Sequence, residues 1–575
     1  MSLRHRLHTA LILPLAGVLL LAAGCGRIAH DQAEIRYYAA TGDFDVAEQR
    51  LNDIYRSQLP TDPGADGRER LHDKHGMLWT LDRGIISYLR GDYATAAQLL
   101  GEASNFVEYF RTRWRAGNIT RQIAAGAINE TLTEYDGNAF EHVQVEFWRS
   151  LNELVQAQRL YGILPSELAP DRGAADQHLS NAISYARRMV LNQIQEGQDA
   201  ADTTFWRRTY YDDPFARLFS AALMLTPPRD QRAQSDMQFA NVMLQRSWQA
   251  YREERGKLAG QRHWRYEVPQ TAHIQPLVTL LHRVGHAYDP QGWADWAQRN
   301  NVPAPMPIRL GDAEPAHPSA LPDGYGMILV VNKSDLVAIP ESLDVYVAAG
   351  TLPGRYTRVR NNREQVRTFR IGALAFAARG PGANIVSDWP VIPVPAQITQ
   401  AMAPGGLAIM GTSIPVHAPD RPIVRPPQIF LESGDTAVSA DLHVLADIDA
   451  YARATLKDEQ PRTLMRALLR TAIKQTAGAV ATEAIRRETG PLGGLVAGLL
   501  ISGGLTMSEV ADVRAPLLLP NTVQGVLLDV PAGTHRLQLR ESDAATDLGA
   551  ITVPEGRLVV VPVRSFPTVP PRALD

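Results

Sequence analysis

One cysteine, Cys25, stands at the end of an apolar run near the start of the 575-residue chain. A lone cysteine cannot form an intrachain disulfide, a CxxC redox pair or a cysteine-rich zinc site. Its thiol could still serve as an attachment point. The run before it, LILPLAGVLLLAAG, follows a start that carries two arginines and two histidines. This layout is typical of a signal peptide over residues 1–24, because about fourteen apolar residues are too few to span a bilayer.

The residues directly before the cysteine, LAAG, resemble the bacterial lipobox. The resemblance implies cleavage between Gly24 and Cys25, with diacylglyceryl and N-acyl groups added to Cys25. Several acyl chains would make attachment effectively permanent, because each buried methylene contributes about 0.8 kcal/mol. Gly26 follows, and not the aspartate that commonly retains lipoproteins in the inner membrane, so we expect the periplasmic side of the outer membrane. The alternative is that Cys25 only happens to lie in a signal segment.

Histidines and carboxylates suggest a few further sites. His282 and His286 would share one helix face, and zinc would need a third ligand such as His263 or His273. We favour structural histidines there and predict no metal site. LHDKHG, near a predicted loop, is a weaker candidate.

Two pairs of acids lie close in sequence, Asp212 with Asp213 and Asp447 with Asp449. Adjacency alone does not give two carboxylates the separated pKa values that general acid and base catalysis needs. We expect Asp447 and Asp449 to stabilise the first turn of a helix. HExxH, GxSxG, SxxK and P-loop patterns do not occur, so the sequence predicts a protein that is not an enzyme and has no cofactor beyond the lipid.

Two stretches of the C-terminal half could contact a membrane. A basic stripe recurs every four residues, which usually marks a solvated helix face and less often a contact with anionic lipid or glycan. Small residues also recur every four residues in GPLGGLVAGLLISGG. This pattern predicts a buried core helix or, alternatively, a helix that inserts into a membrane or contacts another subunit of an oligomer. The two sets are Arg462, Arg466, Arg470 and Lys474, and Gly490, Gly494, Gly498 and Ser502.

The elements that must position these groups begin with helix pairs. Two stretches around Gly42 and Gly91 share the turn glycine, aromatic and small-residue spacing of tetratricopeptide (TPR) repeats. The matching positions are Tyr38, Gly42, Phe44, Ala47 and Leu51, and Gly84, Gly91, Tyr93, Ala96, Leu100 and Ala103. With the less regular helical stretches that follow, they predict a TPR-like α-solenoid. Candidate partner-binding aromatics are Tyr38, Tyr93, Trp206, Tyr210 and Tyr211, and the last three, with Phe205, could instead stack on sugars.

Composition changes sharply where prolines cluster, and short strand-like runs follow. The predicted class is α+β multidomain, an N-terminal TPR-like solenoid followed by a β-rich domain that a helical segment interrupts. The predicted order is a signal peptide (1–24), helical repeats (25–300), a Pro-rich linker (301–325), an α+β domain (326–565) with a helical block (441–507), and a Pro-rich tail (566–575). The net charge of −3 argues against nucleic-acid binding.

Four segments together resemble an uncharacterised family of bacterial TPR-containing lipoproteins. They are YDGNAFEHVQVEFWRSLNEL, YYDDPFARLFSAALML, DIDAYARATLKDEQPRTLMRALLRTAIK and ADVRAPLLLPNTVQGVLLDVPAGTHRLQL. Where the family tends to carry a tryptophan after the Asp-x-Arg of the last segment, this chain has Ala515 and Pro516. The resemblance implies a periplasmic, outer-membrane-linked scaffold and no known activity, with a possible link to peptidoglycan or the cell-wall synthase machinery.

Three functions follow as hypotheses. The first is a lipid-anchored interaction protein whose helical repeats bind protein or peptide partners. The second is a cell-wall glycan-binding protein or an envelope enzyme. The third is a subunit of a membrane-embedded assembly that uses the glycine-rich helix.

Overall fold

The structure is a computed structural model. It describes residues 31–58, 76–115, 135–201, 212–258, 274–305, 307–349, 408–417, 427–434, 436–459, 513–541 and 544–566, with short pieces at 62–63, 69–70, 360–361, 364–371, 374–379 and 463. Outside these residues lie Gly24, Cys25, Trp206, Tyr210 and Tyr211, together with the whole basic stripe and the whole glycine-rich stretch.

Helices predominate in the described residues up to 299. They are α1 (residues 31–41), α2 (Phe44–Gln58), α3 (Gly76–Arg90), α4 (Tyr93–Arg115), α5 (Ala139–Leu160), α6 (Arg172–Ala201), α7 (Pro214–Leu223), α8 (Gln234–Leu258), α9 (Gln275–Tyr288) and α10 (Pro290–Arg299). From α2 onwards, each helix packs against the next one along the chain. Among the described helices, none is both long and apolar enough to cross a bilayer.

The turns α1–α2 and α3–α4 have the same backbone geometry. Gly42 and Gly91 adopt φ angles of +87° and +89°, a region that glycine enters without steric cost. In both turns the aspartate after the glycine donates its N–H to a carbonyl of the preceding helix at 2.9 Å. Close approach of α3 to α4 depends on Gly84, because a Cβ there would lie 2.9 Å from Leu100 Cγ and Cδ2.

Strands dominate the described residues after 307. They are β1 (Ile308–Arg309), β2 (Tyr325–Ser334), β3 (Pro340–Ala349), β4 (Glu364–Ile371), β5 (Leu374–Arg379), β6 (Ala408–His417), β7 (Gln428–Ser433), β8 (Thr436–Asp441), β9 (His443–Asp447), β10 (Thr522–Pro531), β11 (Gly533–Glu541), β12 (Ala544–Val553) and β13 (Leu558–Ser565). A further helix, α11, covers residues 448–459. Two-residue strands pair at Asp62–Pro63 with Glu69–Arg70, and Arg360–Asn361 pairs with β4.

Three larger sheets result. The central sheet has the order β9-β10-β2-β13, in which β13 runs parallel to β2 and β1 adds in parallel beside β10. The outer sheet, β8-β7-β11-β12, is antiparallel throughout. A third antiparallel sheet contains β4-β5-β3-β6. The chain is therefore a mixed fold of helices and sheets, compatible with the α+β class that the sequence predicts.

The central sheet has one face against the helices and one against the outer sheet. Along β2, Met327, Leu329 and Val331 join the same hydrophobic cluster as the helices, while Ile328 and Val330 join a second cluster with the outer sheet. This division follows from the alternation of side chains along a strand. Helices and central sheet thus share one core.

The predicted linker, residues 301–325, contacts both the helices and the central sheet. Pro303 O accepts a hydrogen bond from His282 on α9 at 2.8 Å, and β1 pairs with β10. In the predicted helical block 441–507, the residues 443–447 form strand β9 and helix begins only at 448. The apolar residues of β9 extend the central sheet beside β10, and this pairing decides their conformation.

Candidate functional site

An extended segment of the chain, residues 513–521, lies against the helices just before β10. Asp82 on α3 is fully buried, and its two carboxylate oxygens accept the backbone N–H of Leu517 at 2.9 and 3.0 Å. One of them also accepts the N–H of Leu518 at 3.1 Å. Arg36 on α1 donates to the carbonyl of Leu517 at 3.2 Å. The helices therefore bind this segment through its backbone, as well as through the buried leucine side chains.

Several neighbouring groups affect the pKa of the buried Asp82 carboxyl group. Burial raises the pKa of Asp82 to about 7, and the negative charge of nearby Glu141 acts in the same direction. The two backbone N–H donors and the guanidinium of Arg36 lower the pKa in part. Burial also raises the pKa of Tyr55, which lies near Asp82 and Arg514. Asp82 is thus the titratable centre of the contact.

The residues YDGNAFEH, at 135–142, lead into α5 and form its first turn. Glu141 accepts the backbone N–H of Asn138 at 3.0 Å and the hydroxyl of Tyr135 at 2.9 and 2.8 Å. This satisfies a donor that the start of a helix leaves unpaired. Gly137 adopts φ +73°, and a Cβ there would lie 2.7 Å from the end of the Met77 side chain. These residues form a helix start at the edge of the Asp82 contact.

His142, one residue further, is completely buried between two acceptors. Its Nδ1 lies 2.7 Å from Glu196 on α6, and its Nε2 lies 2.7 Å from the carbonyl of Asp136. Arg111 on α4 donates to the same Glu196 carboxylate at 2.9 Å and to Asn192 at 2.6 Å. The network ties three helices together and leaves both ring nitrogens of His142 engaged.

Lys333 is a buried lysine in the contact between the helices and the central sheet. It lies near the end of β2, in phase with the apolar residues of the helix-facing side, and is only 1% exposed. Its Nζ is 5.0 Å from the ring centroids of Tyr88 and Trp148. Burial lowers the pKa of the Lys333 amine well below its usual value, and the positive charge of Arg564 adds to the effect. The sequence signal for Lys333 is a single lysine in phase with the buried side of MILVVNK.

Asp212 and Asp213 directly precede α7, in the segment DDPFARLF. Asp213 accepts the N–H of Phe215 at 3.0 Å, and Arg217 donates to Asp212 at 2.9 Å. Burial raises the pKa of Asp213 to about 7, and the charge of Asp212 contributes. Phe215 packs edge-on against Phe147 of α5, with ring centroids 5.6 Å apart. The pair Asp212 and Asp213 therefore caps and supports a helix.

The acids near the start of α11 have similar roles. Asp447 accepts the N–H of Ala450 at 2.8 Å, which supports the first helical turn. Asp449 accepts the N–H of Ala338 at 2.7 Å and a hydrogen bond from Arg453 at 2.6 Å. The charge of Arg453 and these bonds lower the pKa of Asp449 despite burial, which opposes them as the largest single effect.

The remaining predicted site residues lie apart from this interface. His282 donates to the Pro303 carbonyl and contacts Trp293 edge-on, and burial lowers its pKa. His286 stacks on His317, with ring centroids 4.1 Å apart. Within the described residues, no group of three possible metal ligands occurs. His263 and His273 lie outside those residues, as does LHDKHG apart from its final glycine.

Of the predicted partner-binding aromatics, two are described. Tyr38 and Tyr93 are half-buried and pack against the main hydrophobic cluster. The ring of Tyr93 contacts Tyr88 edge-on and lies under Arg159, and its carbonyl accepts a hydrogen bond from Asn152 at 3.0 Å. Partner binding by these two residues stays a prediction.

The buried titratable groups at Asp82, Glu141, His142, Asp213 and Asp449 thus bind and orient segments of the chain itself. Asp82, Arg36 and Lys333 lie where helices meet sheet. Sequence reasoning missed all three, because each is an isolated residue whose partners are far away in the chain. Comparison of the chain with protein-family models, with curated proteins and with solved structures gave no match.

Proposed function

We propose that this chain is a lipid-anchored interaction protein of the bacterial envelope, attached through Cys25 to the periplasmic side of the outer membrane. In this proposal the helices form a TPR-like array that holds protein partners, and the sheets brace it. It is not an enzyme, and its partners belong to the cell-wall assembly machinery, as the family resemblance suggests. The anchor rests on the lipobox resemblance of LAAGC.

The observation that carries the scaffold role is the repeated hairpin. The turns at Gly42 and Gly91 agree in φ to within a few degrees and make the same aspartate hydrogen bond. Successive helices then pack in chain order, as in repeat arrays where each unit contacts only its neighbours. Such arrays serve mainly as binding surfaces.

The Asp82 contact supports a capacity to hold extended chain. Asp82 and Arg36 engage the N–H and C=O groups of Leu517, which any peptide offers. Because residues 513–521 fill this part of the helical face, an external partner would dock on another surface. The proposal therefore separates an internal brace from an external binding surface.

The test is site-specific photocrosslinking in cells that make the full chain. A photoreactive amino acid would be placed at the exposed positions Tyr109, Leu191 and Val242 on three helices, and at the buried Leu151 as a control. We expect a defined envelope protein to crosslink at one or more exposed positions and not at the control. Absence of any protein adduct from all three positions would contradict the role of the helices.

The anchor is tested separately. Radiolabelled palmitate should enter the parent chain and not Cys25→Ala, and globomycin should block processing of the parent. A parent chain that carries no label and partitions with periplasmic proteins would overturn the outer-membrane placement.

A further inference from the structure

The two edges of the outer sheet differ. On the β12 edge, Thr552 donates its backbone N–H to the carbonyl of Ile163, in the loop after α5, at 3.0 Å. That loop covers the edge. On the opposite edge, β8 pairs with β7 on one side, and no described residue pairs with the backbone on its other side.

The register identifies which groups of β8 point outwards. Ser433 pairs with Thr436 next to the turn, and five further residue pairs follow without a bulge. In a tight antiparallel hairpin, the pair beside the turn exchanges hydrogen bonds and the pattern alternates from there. Thr436, Val438 and Ala440 therefore bond to β7. The N–H and C=O groups of Ala437, Ser439 and Asp441 point away from it.

Within the described residues, this edge carries few of the devices that usually prevent strand addition. Exposed edge strands are normally blunted by lysine, proline, a bulge or a covering loop. The sequence of β8 is TAVSAD, with neither lysine nor proline, and Ala437, Ser439 and Asp441 are all exposed. Its one charge, on Asp441, is engaged by the side chain of Gln428 at 2.7 Å. The side chains along this edge are small and its backbone is regular, so that another strand could pair with it.

We infer that this edge pairs with the β8 edge of a second copy of the chain, so that two outer sheets join across a two-fold axis. Charge selects the register. With the axis at Ser439, Ala437 faces Asp441 of the other copy and Ser439 faces Ser439. With the axis at Asp441, two carboxylates would face each other, which destabilises a strand pair. The Ser439 register also keeps all three outward residues paired.

In this register the joined edges exchange about six backbone hydrogen bonds, two for each outward pair. The pair is isologous, as in most two-fold dimers. The two Ala437 residues lie four residues apart along the joined strands, a separation of about 14 Å. That separation gives the pairing a signature that can be measured by crosslinking.

The experiment uses cysteine variants of the full chain, in the cells that make it, with a short bismaleimide that spans less than this separation. Ser439→Cys should give a covalent dimer of the chain. Ala437→Cys and Asp441→Cys should each give little dimer alone and a strong dimer band when the two variants are made together. The parent chain, whose only cysteine is Cys25, sets the background.

A second variant tests the edge without any crosslinker. Ser439→Pro removes an outward N–H and no bond of the β7–β8 ladder, and proline is tolerated on edge strands in this orientation. We expect dimer to be lost in native mass measurements of the purified full chain, with a thermal midpoint close to that of the control Ser439→Ala. Dimer that persists in Ser439→Pro, equal crosslinking of all three cysteines, or a crosslink from Ser439→Cys to a different protein would each overturn the inference.

Discussion

The carboxylate of Asp82 lies 2.9 and 3.0 Å from the backbone nitrogen of Leu517, a residue 435 positions further along the chain. A side chain in the third helix therefore holds the backbone that leads into the central sheet. Contacts of this sequence separation form only after nearly the whole chain is available, because the intervening loop must close first. The helical and sheet halves consequently depend on each other.

Removal of the Asp82 carboxylate should destabilise the fold strongly. Asp82→Ala leaves two buried N–H groups without their acceptor, and we expect a loss of about 2–5 kcal/mol in the free energy of unfolding. Asp92→Ala is the matched control in the α3–α4 turn, since that exposed carboxylate bonds to Thr95 at the start of α4 and its loss should cost about 1 kcal/mol. Urea unfolding of the full chains measures both. Equal losses would show that the buried contact contributes no more than an exposed helix cap.

Stability should also depend on pH through Asp82. Burial raises the pKa of Asp82 from 3.8 to about 7, so the folded state holds a proton that the unfolded state has released. This contribution is complete below pH 3.8 and is lost as the pH rises to about 7, with a slope of at most about 1.4 kcal/mol per pH unit. Asp82→Asn should flatten the dependence in this window. Asp213, with a similarly raised pKa, leaves part of the slope in the variant.

Urea midpoints of parent and Asp82→Asn between pH 4 and 8 would check this prediction. Parallel curves for the two proteins would contradict it.

The buried amine of Lys333 should reduce stability at neutral pH. Its pKa is lowered by burial, so the folded state penalises the charged form that the unfolded chain prefers. Lys333→Met keeps the length of the side chain and removes the charge, and should stabilise the fold by about 1–3 kcal/mol at pH 7. The gain should shrink towards pH 10, where the unfolded amine also loses its proton. Lys333→Glu, which buries an opposite charge, should destabilise the chain in the same unfolding assay.

A loss of stability in Lys333→Met would instead mean that attraction between the ammonium and the rings of Tyr88 and Trp148 exceeds the desolvation cost. In that case a loss of stability in Lys333→Met, and not a gain, should shrink towards high pH, where the amine becomes neutral.

The helical repeats should not fold well alone. A chain of residues 25–300 would expose the face that packs on β2 and β10, and it would leave Gln275 without its two hydrogen bonds to the backbone of Leu527. We expect this fragment to aggregate or to bind hydrophobic dyes, in contrast to a chain of residues 25–575. A monomeric fragment with a cooperative thermal transition would show that the helices form an independent domain.

Local patterns predicted the local structure well. The spacing around Gly42 and Gly91 indicated helix hairpins, because turn glycines and small contact residues leave a signature within one repeat. The short strand-like run MILVVNKS indicated a strand, and β2 matches it. The class of mixed helices and sheets followed from such patterns.

The interface could not be predicted in the same way. Asp82, Arg36 and Lys333 gain their meaning from partners far away in sequence, and no local pattern distinguishes a buried aspartate on a helix from an exposed one. The sequence placed residues 443–447 in a predicted helical block. They form strand β9 instead, because pairing with β10 outweighs their local preference. Asp212 and Asp213 resembled an acid pair and cap a helix instead.

The contact between α3 and α4 offers the sharpest test of the hairpin packing. A methyl group at Gly84 would meet Leu100 Cγ and Cδ2 at 2.9 Å, and its backbone nitrogen at 3.4 Å. Gly84→Ala should therefore destabilise the full chain by about 1–3 kcal/mol, because the helices must separate or Leu100 must leave its rotamer. Gly101→Ala on α4 is the matched control, since a Cβ there meets nothing within 4 Å. It should stabilise the helix by about 1 kcal/mol, so thermal midpoints that shift in the same direction for both variants would contradict close packing at Gly84.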